Sequence, residues 1–257
     1  MKPDISEFSY GYAVTEELVA KHKSRVVGAP TFPSLYEEGK KGGGYDVKIP
    51  FKGTPVFLQF KLSDYLSRKS AKEHISLSLK LPYYRMHLRP LRHSQQHQLL
   101  LDLEATGEAV YYIAPEFHLP RELNRHYLTR TVVNNSAAFA PSAIGSLPDP
   151  DDHYVVFEKD STYGYRCSEE PKKLERTSLT SALETLRNLD RGRDLGEEGL
   201  SALTRKMVDV VRRRSGVEGL GAGPTADAQA IAERRNPIES AAYLARTYFS
   251  CELVVVG

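Results

Sequence analysis

The sequence predicts an α/β fold built round a mixed central sheet, with a mainly helical C-terminal region. Three observations carry that prediction. Short β-rich runs alternate with amphipathic stretches in the first half of the chain. Two of those runs lie close enough to form a hairpin, and beyond Pro171 apolar residues recur at helical spacing.

Taken in order, Thr15 to Lys23 reads as a short helix. Thr15 stands at the N-cap, Glu16 and Glu17 in the first turn, and Leu18 and Val19 supply apolar contacts. Arg25 to Ala29 reads as a strand, followed by a loop marked by Pro30, Pro33 and the Gly42-Gly43-Gly44 run. Tyr45–Pro50 and Val56–Lys61 read as paired strands turning about Gly53. The polar stretch Leu62 to Leu81 fits a loop with a helical turn. Ser94 caps a helix that Gly107 stops, and Ala109–Ala114 is a strand ended by Pro115. Tyr154–Glu158 and Gly164–Cys167 are further strand candidates, while Pro120 to Pro171 otherwise carries no clear pattern. Ser178–Leu189 and Glu198–Arg214 have helical periodicity, two short helices meet at Asn236-Pro237, and Glu252–Val256 is strand-like. This divides the chain into a domain over 1–171 and a helical region over 172–257.

The composition is that of a soluble protein, with 40% hydrophobic and 26% charged residues. A net charge of +2 gives no global field for nucleic acid, so any polyanion site has to be a local cluster. Cys167 and Cys251 form no metal-binding spacing and fit a reducing compartment. No run approaches the roughly 20 apolar residues that span a bilayer, and no signal peptide is visible, so a cytoplasmic location without membrane contact is expected.

The hairpin carries the chemistry. Pairing about Gly53 sets Asp46 across from the Phe60/Lys61 end, and strand alternation puts Gln59 and Lys61 on one face with Leu58 and Phe60 on the other. A carboxylate, an amide oxygen and an ammonium then converge. Such a group suits phosphodiester hydrolysis, with the carboxylate holding a hard divalent cation and the lysine orienting water or offsetting charge.

Asp46, twelve residues, then Gln59-Phe60-Lys61 resembles the motif of the PD-(D/E)XK nuclease superfamily, over roughly Thr15 to Ala114. The resemblance implies a restriction-endonuclease-like αβββαβ core and a Mg²⁺ (or Mn²⁺) cofactor held by Asp46 and Gln59. It also implies a DNA substrate, and a role in restriction or antiphage defence. Two departures stand out: Tyr45 replaces the usual proline, and Gln59 replaces the usual acid, as in Mrr-like enzymes. Gln59 brings no charge, so a further carboxylate is expected from the preceding helix. Glu17 is the first candidate, then Glu16, then Glu38 on the loop.

Gln96, Leu99, Leu100 and Leu103 share one helical stripe, so Gln96 needs a hydrogen-bond partner at the stripe's end. The edge of an active site or a backbone carbonyl can supply it. Gln96 is similar to the helix glutamine of RecB-like nucleases, although Leu100 stands where their tyrosine would. His97 joins it as a candidate, and Lys40, Lys41, Arg85, Arg89 and Arg92 are candidate nucleic-acid contacts. The C-terminal helices are candidates for a protein partner or homo-oligomer contact. A second reading is a nuclease-fold binding or scaffold protein without catalysis.

Overall fold

The first helix, α1 (Glu7–Lys21), starts well before the expected Thr15. Ser6 is the actual cap: its Oγ accepts the Ser9 backbone N–H at 3.0 Å. Tyr10, Ala13, Val14 and Leu18 then form the buried stripe. Thr15 lies inside the helix, with its Oγ1 donating to the Gly11 carbonyl at 2.7 Å. Gly11 has a packing reason, because a Cβ there would sit 3.2 Å from the Phe60 ring.

This computed structural model describes residues 1–21, 23, 54–90, 94–147, 151–168, 170–182, 197–214, 228, 230, 236–249 and 252–256. After α1 come β1 (Thr54–Phe60), β2 (Ser63–Leu66), α2 (Lys72–Leu77), β3 (Tyr83–Leu88), α3 (Gln96–Glu104) and β4 (Ala109–Pro115). Then follow α4 (Pro120–Leu128), a 3-10 turn (Val133–Asn135), β5 (Ser136–Phe139), α5 (Pro141–Ile144), β6 (His153–Glu158), β7 (Tyr163–Cys167) and β8 (Lys172–Glu175). The last elements are α6 (Glu197–Arg214), α7 (Pro237–Phe249) and β9 (Glu252–Val256).

The protein is mixed α/β, and its described residues form two sheets, of order β5-β4-β1-β9 and β2-β3-β6-β7-β8, the former mixed in direction. Of the strands expected in the core, the two that are described, β1 and β4, are neighbours in the first sheet, while β2 and β3, which the sequence reading did not foresee, lie in the second. The antiparallel partner of β1 among the described residues is β9, from Thr54↔Val256 to Leu58↔Glu252. The run of β-branched Val254, Val255 and Val256 in the sequence suits a strand. The sequence reading gave Tyr45–Pro50 this place. That segment, with Asp46, lies outside the described residues, as does the Arg25–Ala29 strand.

The chain forms two compact units, each assembled from three stretches, and Pro171 falls within the first. Unit 1 holds residues 1–21, 60–91 and 112–182. Its five-stranded sheet is antiparallel throughout, and Leu79, Tyr83 and Val156 form a small core on one face. Lys172–Glu175, expected to begin a helical region, is the edge strand, and its two exposed lysines discourage further strand pairing. A buried ion pair, Glu116 to Arg176 at 2.5 Å, is shared with the Asp160 backbone N–H at 3.1 Å from the same Glu116 oxygen. Glu122 fixes the start of α4 by accepting the His118 and Leu119 N–H groups, both at 3.0 Å.

Unit 2 holds residues 22–59, 92–111 and 183–257. There α6 and α7 pack on each other and on α3, and α7 also meets β9. The buried faces follow the sequence periodicity: Leu203, Met207, Val210 and Val211 on α6, Ala241, Leu244, Ala245 and Phe249 on α7, and Leu99, Leu100 and Leu103 on α3. Ser94 assists the start of α3 through its Oγ, which accepts the Gln96 N–H at 3.2 Å. Gly107, with φ +88°, ends the segment as the sequence predicts.

Candidate functional site

Phe57, Leu58, Gln59 and Phe60 are all buried, so β1 is enclosed on both faces there. A buried amide needs partners. In unit 2, Gln59 has one in Gln96, whose Nε2 donates to the Gln59 Oε1 at 3.1 Å. Two residues singled out separately in the sequence are thus joined, and the end-of-stripe glutamine has a side-chain partner. His97, the next residue on α3, is buried.

Lys61 follows directly in the chain and belongs to unit 1. Its backbone N–H donates to the Ile113 carbonyl at 3.0 Å, which fixes the main chain, and its side chain is half-buried. The preceding Phe60 ring meets Tyr10 edge-on, with centroids 5.9 Å apart, and lies against Gly11. Glu7 precedes Gly11 by one helical turn, so it occupies the same face of α1. Glu7 is exposed as a residue, yet its carboxyl is crowded enough for desolvation to raise its pKa; Lys61 and then Arg89 pull the other way. Glu7, Lys61 and Arg89 therefore share one electrostatic neighbourhood in unit 1. Sequence reasoning missed Glu7 because it started the helix at Thr15. The signal was the Ser6 cap followed at once by an acid in the first turn.

The carboxylate expected to help, Glu17, is occupied elsewhere. It is buried and accepts the Val132 and Val133 N–H groups at 2.6 and 3.2 Å, holding the start of the 3-10 turn. Burial raises its pKa, with the two backbone donors and Lys21 pulling it back. Glu16 pairs with Arg130. Glu38 lies outside the described residues.

The candidate cations divide as well. Arg85 stands across from Asp64 in the β2–β3 register and pairs with it at 3.3 Å, while its other nitrogen reaches Glu73 at 3.2 Å. The guanidinium also lies 4.7 Å over the Tyr154 ring, and Tyr83 donates to Glu73 at 2.8 Å. Arg85 thus serves an internal network. Arg89 is exposed, and Lys40, Lys41 and Arg92 lie outside the described residues.

Among the described residues no three His, Cys, Asp or Glu side chains gather in a way that could hold a metal ion. The described part of the expected site offers a neutral amide oxygen and an ammonium. A hard divalent cation needs a carboxylate besides, and Asp46, which the sequence reading expects in that part, lies outside the described residues. Among the described residues no helix is long and apolar enough to cross a membrane. Comparison with protein-family models, with curated proteins and with solved structures finds no match for this chain.

Proposed function

We propose that the protein is a Mg²⁺- or Mn²⁺-dependent nuclease of the PD-(D/E)XK type, acting on DNA and serving in restriction or antiphage defence. The observation that carries this reading is the Gln59–Gln96 hydrogen bond, which joins the motif glutamine to the helix glutamine that is a separate candidate in the sequence. Asp46 is assigned as the charged ligand and Gln59 as the neutral one. The cation, once held, would polarise the phosphoryl oxygen and acidify a bound water. Lys61 orients that water or offsets developing negative charge. Glu17 is taken up by backbone donors, while the carboxylate of Glu7 acts electrostatically on Lys61 within unit 1.

A second reading has its own support. The Gln59 oxygen that would face a cation already accepts a hydrogen bond, and Gln59 is only 5% exposed. Both facts suit a nuclease-fold binding or scaffold protein without catalysis, within a larger complex or homo-oligomer built through the C-terminal helices.

Cleavage of plasmid, single-stranded DNA and RNA separates the two. The nuclease reading expects cutting with Mg²⁺ or Mn²⁺, none in EDTA, and a loss of at least about 100-fold in Asp46→Ala. Nucleic-acid binding without cutting on any substrate would leave the scaffold reading standing.

A further inference from the structure

We infer that unit 1 carries a phosphate site at the end of α5, where Arg166 and Lys172 converge on Gly145. Arg166 on β7 stands directly opposite Lys172 on β8. Like charges in that relation repel and weaken a strand pair. A carboxylate from a neighbouring element would relieve the repulsion, but among the described residues neither cation has an ion-pair partner. The pair therefore stands as two charges of one sign with nothing on the protein to balance them.

The backbone brings both head groups to one point. The short helix α5 ends at Gly145, whose φ of +78° is a conformation that glycine adopts without strain. The Arg166 Nη1 donates to the carbonyls on either side of that glycine, Ile144 at 3.0 Å and Ser146 at 2.9 Å. Those two bonds fix the guanidinium and satisfy the helix end. A Cβ on Gly145 would lie 3.6 Å from the same Nη1 and 3.5 Å from the Lys172 Nζ. Glycine thus puts no side chain between a cation clamped by backbone and one that reaches it from the neighbouring strand.

The donors left over select the ligand. The Arg166 Nε is buried without an acceptor and Nη1 is committed, so the planar fork that grips a carboxylate through two parallel bonds cannot form. What remains is Nη2 and a rotating ammonium with three donors. Separated donors of this kind suit a tetrahedral group with several charged oxygens, which is a phosphate. Lys172 is exposed and Arg166 half-buried, so the site opens to solvent. The inference stands apart from the nuclease reading, because a free phosphate and a nucleic-acid backbone present the same group.

The test is titration of the full, isotope-labelled chain with inorganic phosphate, followed by NMR beside sodium chloride at matched ionic strength. The Gly145 amide and Arg166 Nε–H signals should move with phosphate and not with chloride. The dissociation constant should be on the order of 1 mM, the strength of two charge-assisted hydrogen bonds. Lys172→Ala should weaken that binding by about tenfold and, without phosphate, melt at or slightly above the wild-type temperature, since it relieves the repulsion. Lys172→Arg keeps the charge and should bind within about threefold of wild type. A single-stranded oligonucleotide then identifies the source. Strand affinity lost in Lys172→Ala assigns the site a backbone phosphate, and strand affinity unchanged assigns it a free one. Equal shifts with phosphate and chloride, or phosphate binding untouched by Lys172→Ala, would overturn the inference.

Discussion

The two ends of α1 carry carboxylates put to opposite uses. Near its C-terminal end, Glu17 is buried and both its stabilising contacts are backbone N–H groups of the Val132–Val133 turn. In the first turn, Glu7 has solvent on one side and the charges of Lys61 and Arg89 on the other. The difference shows that being on the correct helix is not enough to make a functional acid. What counts is whether backbone donors have already taken its lone pairs.

Substitution at Glu17 gives the largest expected effect. Glu17→Ala strands two buried N–H groups and should cost about 3 kcal/mol in urea unfolding. Glu17→Gln keeps an acceptor oxygen and should stay within about 1 kcal/mol of wild type. If the two variants unfolded alike, the capping role of Glu17 would be wrong.

The same pair has a pH signature. The folded-state pKa of Glu17 is raised above its ordinary value of 4.5, so folding favours its protonated form. The stability it contributes is complete below that ordinary value and falls as pH rises through the raised one. Glu17→Gln has no proton to lose. Its stability relative to wild type should therefore improve as pH climbs from 4.5 toward neutrality, and a flat difference would contradict the assignment.

In unit 2, Gln96→Leu removes the donor to a buried amide oxygen and should cost about 1 kcal/mol. Smallest in stability is Glu7→Gln, expected within about 0.5 kcal/mol of wild type by thermal melting, with several-fold slower cleavage. A large loss of stability there would place Glu7 beside Glu17 as a structural acid and erase the contrast.

What was legible in the sequence follows the range of the interactions involved. The helix after Ser94, its stop at Gly107, the long helix ending at Arg214 and the strand Glu252–Val256 all depend on local caps and periodicity, and the structure has them. The start of α1 was hidden because Gly11 looks like a breaker until the Phe60 ring fills the space beside it. Pro120 to Pro171 was opaque for a related reason. Glu122 organises the entry to α4 through backbone groups, and β5 is a four-residue strand, three small residues and Phe139, buried at every position. At the site, the need of Gln96 for a partner was readable from its stripe, and Gln59 meets it. The engagement of Arg85 was not, since Asp64 and Glu73 come from different elements.

The most direct test of the central claim is the cleavage rate of Lys61→Ala with Mg²⁺, measured beside wild type and Glu17→Gln on one DNA substrate. The account predicts a fall of at least about 100-fold for Lys61→Ala with Glu17→Gln close to wild type. Equal rates for Lys61→Ala and wild type would contradict it.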